Sequence, residues 1–176
     1  MTDLFAPYNF CGIELRNRFV RSATMENMTT PERLPTQDLL ELYTTMARGQ
    51  IGLIISSAVR PDRKWDLHPQ GRNLCIDNDD SIAGLKQLTD LVHENGGKIV
   101  IQLGSFFRIG GELVAPSISK NNKDSRELTV SEIKQIIAGY VKAAQHSLTA
   151  GFDAVQINAA HGFPLSQFLS PAYNQR

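Results

Sequence analysis

Cysteine is scarce in this chain of 176 residues, and the two present, Cys11 and Cys75, form no CxxC pair. They provide neither a disulfide framework nor a zinc-binding signature. A net charge is also absent, because 18 Lys and Arg balance 18 Asp and Glu, so overall charge does not recruit nucleic acid or anionic lipid. The lack of a disulfide framework suits a protein of a reducing compartment.

Long apolar runs are missing as well. None approaches the roughly 20 residues of a membrane helix, and the N-terminus does not combine a basic region with an apolar stretch as a signal peptide does. We therefore expect a soluble, cytoplasmic protein that engages no membrane and no nucleic acid. Its 41% apolar and 20% charged residues are ordinary for one globular domain.

The chain does contain an alternation of strand-like and helical segments. Residues 1–17 are rich in turn formers and predict a small hairpin that closes one end of the fold. Apolar segments rich in β-branched residues predict four strands, at 18–24, 52–59, 98–103 and 152–157. Three helices are expected between them, capped by Thr36, by Asp80 or Ser81, and by a Thr129–Glu132 capping box. The connections at 60–80 and after residue 103 are predicted as polar loops.

Strands joined by helical crossovers predict a parallel α/β sheet with right-handed connections. No GxGxxG follows the first strand, which disfavours a dinucleotide-binding Rossmann unit. A (βα)8 TIM barrel is the better interpretation, with this chain covering about the first four βα units as a half-barrel. We expect residues 1–176 to form one unit.

In such a barrel the chemistry collects where the strands end. The predicted strand ends carry small or uncharged polar residues: Thr24, Met25, Ser56, Ser57, Ala58, Gln102, Gly104, Asn158 and His161. They include no carboxylate cluster for a metal and no lysine for a Schiff base, so we expect no metal site. Amides, hydroxyls and one imidazole suit a polar, largely uncharged heterocycle, which indicates a cofactor that carries the chemistry itself.

Each of these residues also has a structural interpretation. Gln102 would cap the sheet edge by bonding loop backbone, and Asn158 and His161 would serve as turn formers. Met25 would belong to the core, and the two serines would be satisfied strand-end hydroxyls. Trp65 and His68 lie in a predicted loop and favour a structural role.

Several stretches resemble the old yellow enzyme group of FMN-dependent NADH:flavin oxidoreductases and ene-reductases. They occur in the family's order and are similar to its entry hairpin, its first four strands and its second helix: residues 4–5, 15–24, 52–55, 84–93, 97–99, 102–104, 159–163, 167–171 and 174–176. The resemblance covers nearly the whole chain. It implies a (βα)8 barrel with FMN at its mouth and NAD(P)H as reductant. Residues 1–176 would then be the N-terminal half of the barrel domain.

The resemblance also implies roles by position. The flavin would be bound by residues on three strand ends: Ser22, Ala23, Thr24, Met25, Ala58 and Gln102. Gln102 would bond its pyrimidine edge. Asn158 and His161 would be the catalytic pair, holding the oxygen of an enone-like carbonyl substrate.

This sequence departs from the family pattern at several positions. Asn158 replaces the usual His, Phe163 replaces a proton-donating Tyr, and residues 105–108 replace a His or small residue followed by Gly-Arg. The chain also ends before the stretch that carries the family's phosphate-binding loops. An unrelated βα-barrel phosphate enzyme is disfavoured because these residues contain no phosphate loop. Two hypotheses follow: an FMN oxidoreductase that reduces an activated C=C bond, or a truncated or split half-barrel that acts only as an assembly partner. Either would be expected to self-associate or to pair with a complementary half-barrel.

Overall fold

The computed structural model describes residues 3–66, 72–104 and 108–176. The helices are α1 (Gln37–Arg48), α2 (Asp79–Glu94), α3 (Val130–Thr149) and α4 (Pro164–Phe168). The strands are β1 (Tyr8–Phe10), β2 (Ile13–Leu15), β3 (Val20–Arg21), β4 (Leu53–Val59), β5 (Trp65–Asp66), β6 (Ile99–Leu103), β7 (Arg108–Ile109), β8 (Glu112–Ala115), β9 (Arg126–Glu127) and β10 (Ala154–Ile157).

The central sheet has the order β3-β4-β6-β10, and every neighbouring pair is parallel. Each strand thus lies beside the one that precedes it in the predicted βα series. This sequential order is that of a barrel, since a doubly wound sheet reverses direction at a switch point. The predicted half-barrel is confirmed. Only its first strand is much shorter than expected, because just Val20 and Arg21 pair with β4.

Helix caps follow from side chains that satisfy the first free backbone N–H groups. Thr36 accepts a hydrogen bond from the backbone N–H of Leu39, and Thr129 forms the predicted capping box with Glu132. The cap predicted for α2 is wrong. Asn78 caps that helix, and Ser81 lies three residues on, where it completes the capping box instead of opening the helix.

The main core lies between the sheet and its helices. The outward-facing Ile54, Ile99 and Ile101 of the strands are fully buried against an apolar layer of α1, α2 and α3. A smaller cluster on the inner face of the sheet joins Leu53 and Val100 to Leu15 of β2. Alternating residues of one strand therefore supply two different cores.

The predicted N-terminal hairpin is confirmed. β1 and β2 pair in antiparallel fashion, and Cys11 and Gly12 at their turn have φ angles of 51° and 90°. Positive φ at both central residues is typical of the tight turns that match the twist of a hairpin. The hairpin lies over the inner face of the sheet, where Tyr8 and Phe10 line one side of a cavity of about 570 Å³.

The two predicted loops contain a second small sheet of order β5-β7-β8-β9. Trp65 on β5 is buried, and the centroid of its ring lies 5.7 Å from that of the Tyr140 ring on α3. Gly139 makes room for it, because a Cβ there would lie 2.4 Å from the indole. Trp65 thus has the structural role that was expected, while His68 lies outside the described residues. In the described part of the chain, no helix combines the length and apolar character needed to span a membrane.

Candidate functional site

The carboxyl ends of β3, β4, β6 and β10 meet around a cavity of about 210 Å³. The described residues that line it come from all four strand ends: Ala23, Thr24, Met25, Ala58, Gln102, Asn158, His161 and Phe163. The structure therefore brings together every predicted site residue except Ser22. The backbone carbonyl of Ser22 accepts a hydrogen bond from Thr24 Oγ1 at 3.2 Å. The roles of these residues remain predictions.

A bulge in β4 directs Ala58 into the cavity. Ile55 pairs with Val100 and Ala58 pairs with Gln102, so β4 has one residue more than β6 between these pairs. A bulge of this kind turns the following side chains relative to the sheet. The buried Ser56 stabilises it, since its Oγ accepts the backbone N–H of Gln102 at 3.0 Å and donates to the Ser57 carbonyl at 2.8 Å. The structural interpretation of Ser56 is thus correct.

Gly104 lets the backbone that follows β6 pass close to Ala58. A Cβ at this position would lie 3.1 Å from the Ala58 Cβ, which is tighter than most real contacts. The Gly104 N–H donates to the Val59 carbonyl at 2.8 Å, and its carbonyl accepts from the buried Tyr140 hydroxyl at 2.8 Å. Residues 105–107, where the sequence departs from the family pattern, lie outside the described residues.

A row of amides crosses the cavity wall. Gln102 Nε2 donates to Gln156 Oε1 at 2.6 Å, and Asn158 Nδ2 donates to Gln102 Oε1 at 3.3 Å. The interpretation of Gln102 as a cap on loop backbone is therefore wrong. Met25 is 49% exposed and lines the cavity, so its core interpretation is also wrong.

The turn after β10 presents His161. Its φ of 59° and that of Gly162, 71°, are left-handed, and Asn158 Oδ1 accepts the Ala160 N–H at 3.0 Å. Asn158 and His161 therefore do form a turn while they also line the cavity. The rings of Phe163 and His161 meet edge to face, with their centroids 6.3 Å apart. The Phe163 side chain carries no proton donor.

A buried polar network supports the β3 end of the site. Arg21 forms an ion pair with Glu26, and their side chains are only 15% and 6% exposed. The Tyr43 hydroxyl of α1 donates to Glu26 at 3.1 Å and accepts the Ser57 N–H at 3.1 Å. Burial, reinforced by the Glu26 charge, raises the pKa of Tyr43 well above its usual value, so the phenol stays protonated.

Sequence reasoning gave this network no role in the site. A tyrosine on a buried helix face needs a partner for its hydroxyl, but no local pattern in the sequence identifies the partners of Tyr43. Gln156 was also missed as a site residue, although a polar residue between Val155 and Ile157 was visible in the sequence. Among the described residues, no group of three or more His, Cys, Asp or Glu is placed to hold a metal ion.

Fold and site together define one half of a parallel α/β barrel. The cavity at the carboxyl ends of its strands combines amide, hydroxyl and imidazole groups with apolar side chains. Residues 3–176 match the model of the NADH:flavin oxidoreductase / NADH oxidase family. The chain belongs to that family, which confirms the resemblance found in its sequence.

Individual relatives agree with this assignment. An NADPH dehydrogenase of Geobacillus sp. (strain WCH70) is 35% identical over 182 residues, which make up 99% of this chain and 53% of the dehydrogenase. The old yellow enzyme from Pichia sp. AKU4542 superposes with a TM-score of 0.88 at 28% identity, over 99% of this chain and 50% of that one. Morphinone reductase in complex with tetrahydroNAD gives 0.87 at 28% identity, over 100% and 54%. The chain spans about half the length of these relatives.

Proposed function

We propose that this chain supplies the FMN-binding and substrate-binding wall of an NAD(P)H-dependent flavin oxidoreductase, as the N-terminal half of its barrel domain. The observation that carries the proposal is the convergence of Gln102, Asn158 and His161 with the small Ala23 and Ala58 around one cavity. FMN, when bound, supplies the two-electron redox chemistry between NAD(P)H and an acceptor.

The residues present fit the neutral ring system of a flavin. Ala23 and Ala58 are half-buried and leave space for a flat ring, while Gln102 offers both a donor and an acceptor. The cavity lining contains no Asp, Glu, Lys or Arg among the described residues, so an uncharged heterocycle meets no unpaired charge there. Thr24 and Met25 would line the flavin from the β3 end, with Ser22 just before them.

The proposed substrate is an activated alkene conjugated to a carbonyl. Asn158 Nδ2 uses one of its two protons toward Gln102, which leaves the other for a carbonyl oxygen. His161 would be the second donor to the same oxygen, and both would stabilise the charge that develops there during reduction. Phe163 can orient a substrate by contact but gives it no proton.

We also propose that further strands pair with the two edge strands of this sheet, either from a complementary half-barrel or from a second copy. Val20 on one edge strand is 50% exposed, and Val155 and Ile157 on the other are 39% and 55% exposed. Both edge strands, β3 and β10, have only one partner among the described residues. Unpaired edges beside exposed apolar residues favour the addition of strands.

The test of the proposed function is titration of the purified chain with FMN, followed by flavin fluorescence and thermal unfolding. Binding that raises the melting temperature, together with anaerobic bleaching of the flavin by NADH or NADPH, supports the oxidoreductase. If FMN neither binds nor stabilises the chain, this chain is not an enzyme by itself, and the assembly-partner hypothesis is favoured.

A further inference from the structure

The amide row that leads into the cavity wall begins outside the cavity with Gln156, a residue that has no assigned role. Gln156 on β10 pairs in parallel register with Gln102 on β6, so their side chains leave the same face of the sheet. Neighbouring strands lie about 4.8 Å apart, which is close enough for two such amides to bond. The resulting bond is the 2.6 Å contact from Gln102 Nε2 to Gln156 Oε1.

The direction of the row is fixed at its other end. The backbone N–H of Ala160 can only donate, and it bonds Asn158 Oδ1 at 3.0 Å. Asn158 must therefore turn its NH2 group toward Gln102, at 3.3 Å, and Gln102 must turn its carbonyl oxygen toward Asn158. The Gln102 NH2 group is then left pointing along the row, where Gln156 meets it with an acceptor.

This arrangement determines which groups remain for a ligand. Gln102 keeps one N–H proton and one carbonyl lone pair, and Asn158 keeps one N–H proton. A donor beside an acceptor is complementary to an imide edge, in which an N–H lies beside a carbonyl, and the remaining Asn158 proton suits an oxygen. If the Gln102 amide were flipped, its donor and acceptor would change places. Its NH2 group would then face the NH2 group of Asn158, and neither could accept a hydrogen bond.

We propose that Gln156 is a positioning residue: its side-chain oxygen locks the orientation of Gln102, and through it Asn158, for a ligand that presents an imide edge. This inference rests on the proposed function, because the imide edge is that of the flavin. Gln156 itself lines the separate cavity beneath the site, together with Val100 and Ala154, and it is not among the residues that line the site cavity.

Two substitutions separate the acceptor from the shape of the side chain. Gln156→Met keeps the length and removes the amide, whereas Gln156→Glu keeps an acceptor oxygen at the same position. Gln145→Met is the matched control, since Gln145 is exposed on α3 and is no part of either cavity. All three are compared with the unaltered chain.

The first readout is NMR of the Gln102 and Asn158 side-chain amides in the chain without ligand, assigned with Gln102→Ala and Asn158→Ala. Both amide signals should move in Gln156→Met and stay near their original positions in Gln145→Met. The second readout is the FMN dissociation constant. It should rise about tenfold in Gln156→Met, which is the effect of losing one hydrogen bond, and stay within about threefold in Gln156→Glu.

The two proposals fail in different ways. If the unaltered chain does not bind FMN, the proposed function fails, and the amide signals alone then decide whether Gln156 positions Gln102. Unmoved Gln102 and Asn158 signals in Gln156→Met overturn the inference. So does an unchanged FMN affinity in that variant, because the orientation of Gln102 would then have no bearing on the ligand.

Discussion

Replacing Tyr43 with Phe should destabilise the chain far more than the loss of one oxygen atom suggests. The Tyr43 side chain is completely buried, and its hydroxyl joins three elements: Ser57 in the β4 bulge, Glu26 after β3, and Arg21 on β3. A Phe ring fills the same space, so no cavity is made. The whole effect therefore comes from lost hydrogen bonds.

The size of the effect follows from those bonds. The Ser57 N–H would be left without an acceptor in a buried position, which costs about 1 kcal/mol or more. The bond to the charged Glu26 contributes about 1.5–3 kcal/mol, although Arg21 continues to pair with that carboxylate. We expect a loss of about 2–4 kcal/mol in the free energy of unfolding. For a domain of this size the melting temperature should fall by roughly 5–15 °C.

Urea denaturation measured by circular dichroism gives the free energy, and Tyr8→Phe is the matched control, because Tyr8 lies on the exposed hairpin. The control should change stability by less than about 0.5 kcal/mol. A double-mutant cycle of Tyr43→Phe with Glu26→Gln should show coupling, since the two side chains are in contact. If Tyr43→Phe is no more destabilising than Tyr8→Phe, the network does not hold the β3 end of the site to the β4 bulge.

Three further outcomes are expected. Gln102→Ala should weaken FMN binding about tenfold or more, and an unchanged affinity would remove Gln102 as a flavin contact. In an assembly that reduces enones, Phe163→Tyr should speed turnover by restoring a proton donor, whereas an equal rate would assign protonation to another source such as water. Asp153→Asn should lower stability at neutral pH, with a difference from the unaltered chain that shrinks as urea titrations are moved to acid pH.

The sign of the Asp153 effect follows from its contacts. Burial alone would raise the pKa of this carboxyl, but hydrogen bonds from His93 Nε2 at 2.8 Å, the Ile99 N–H at 2.8 Å and Lys98 Nζ at 2.9 Å lower it overall. A lowered folded-state pKa contributes stability above the unfolded value, about 3.9, and loses it as the pH falls through the folded value. A difference between the two proteins that did not depend on pH would contradict this account.

The sequence was sufficient to place the four strands of the central sheet and the helices α1, α2 and α3, because their periodicity is local. The same reasoning predicted that the candidate site residues lie together, since parallel strands have their carboxyl ends at the same end of the sheet. The second small sheet escaped notice because most of its strands have two residues, too few to show an alternating pattern. The true cap of α2 was missed because Asn78 and Ser81 are both good capping residues and only the structure shows which of them is the N-cap.

Other features depend on contacts between residues far apart in the chain. The bulge in β4 rests on a bond from Gln102 to Ser56, and the buried pair of Arg21 and Glu26 needs Tyr43 from the following helix. No local pattern encodes such contacts. Gln156 is different, because its position opposite Gln102 could have been derived once the two strands were aligned by their polar ends.

The strand β10 has a charged anchor at its amino end and a cavity-lining amide at its carboxyl end. Asp153 immediately precedes the strand, and its carboxylate accepts charge-assisted hydrogen bonds from Lys98 and Ile99 at the amino end of β6. Asn158 immediately follows the strand and places an uncharged amide at its carboxyl end. Because the strand between them has just four residues, rigid anchoring at its amino end limits movement of the amides at its carboxyl end.

The substitution Asp153→Asn should therefore disturb the orientation of Gln102 and Asn158 as well as stability. The NMR signals of the Gln102 and Asn158 side-chain amides in this variant provide the measurement. If the amide signals of Gln102 and Asn158 do not move although the variant is destabilised, the two ends of β10 are independent.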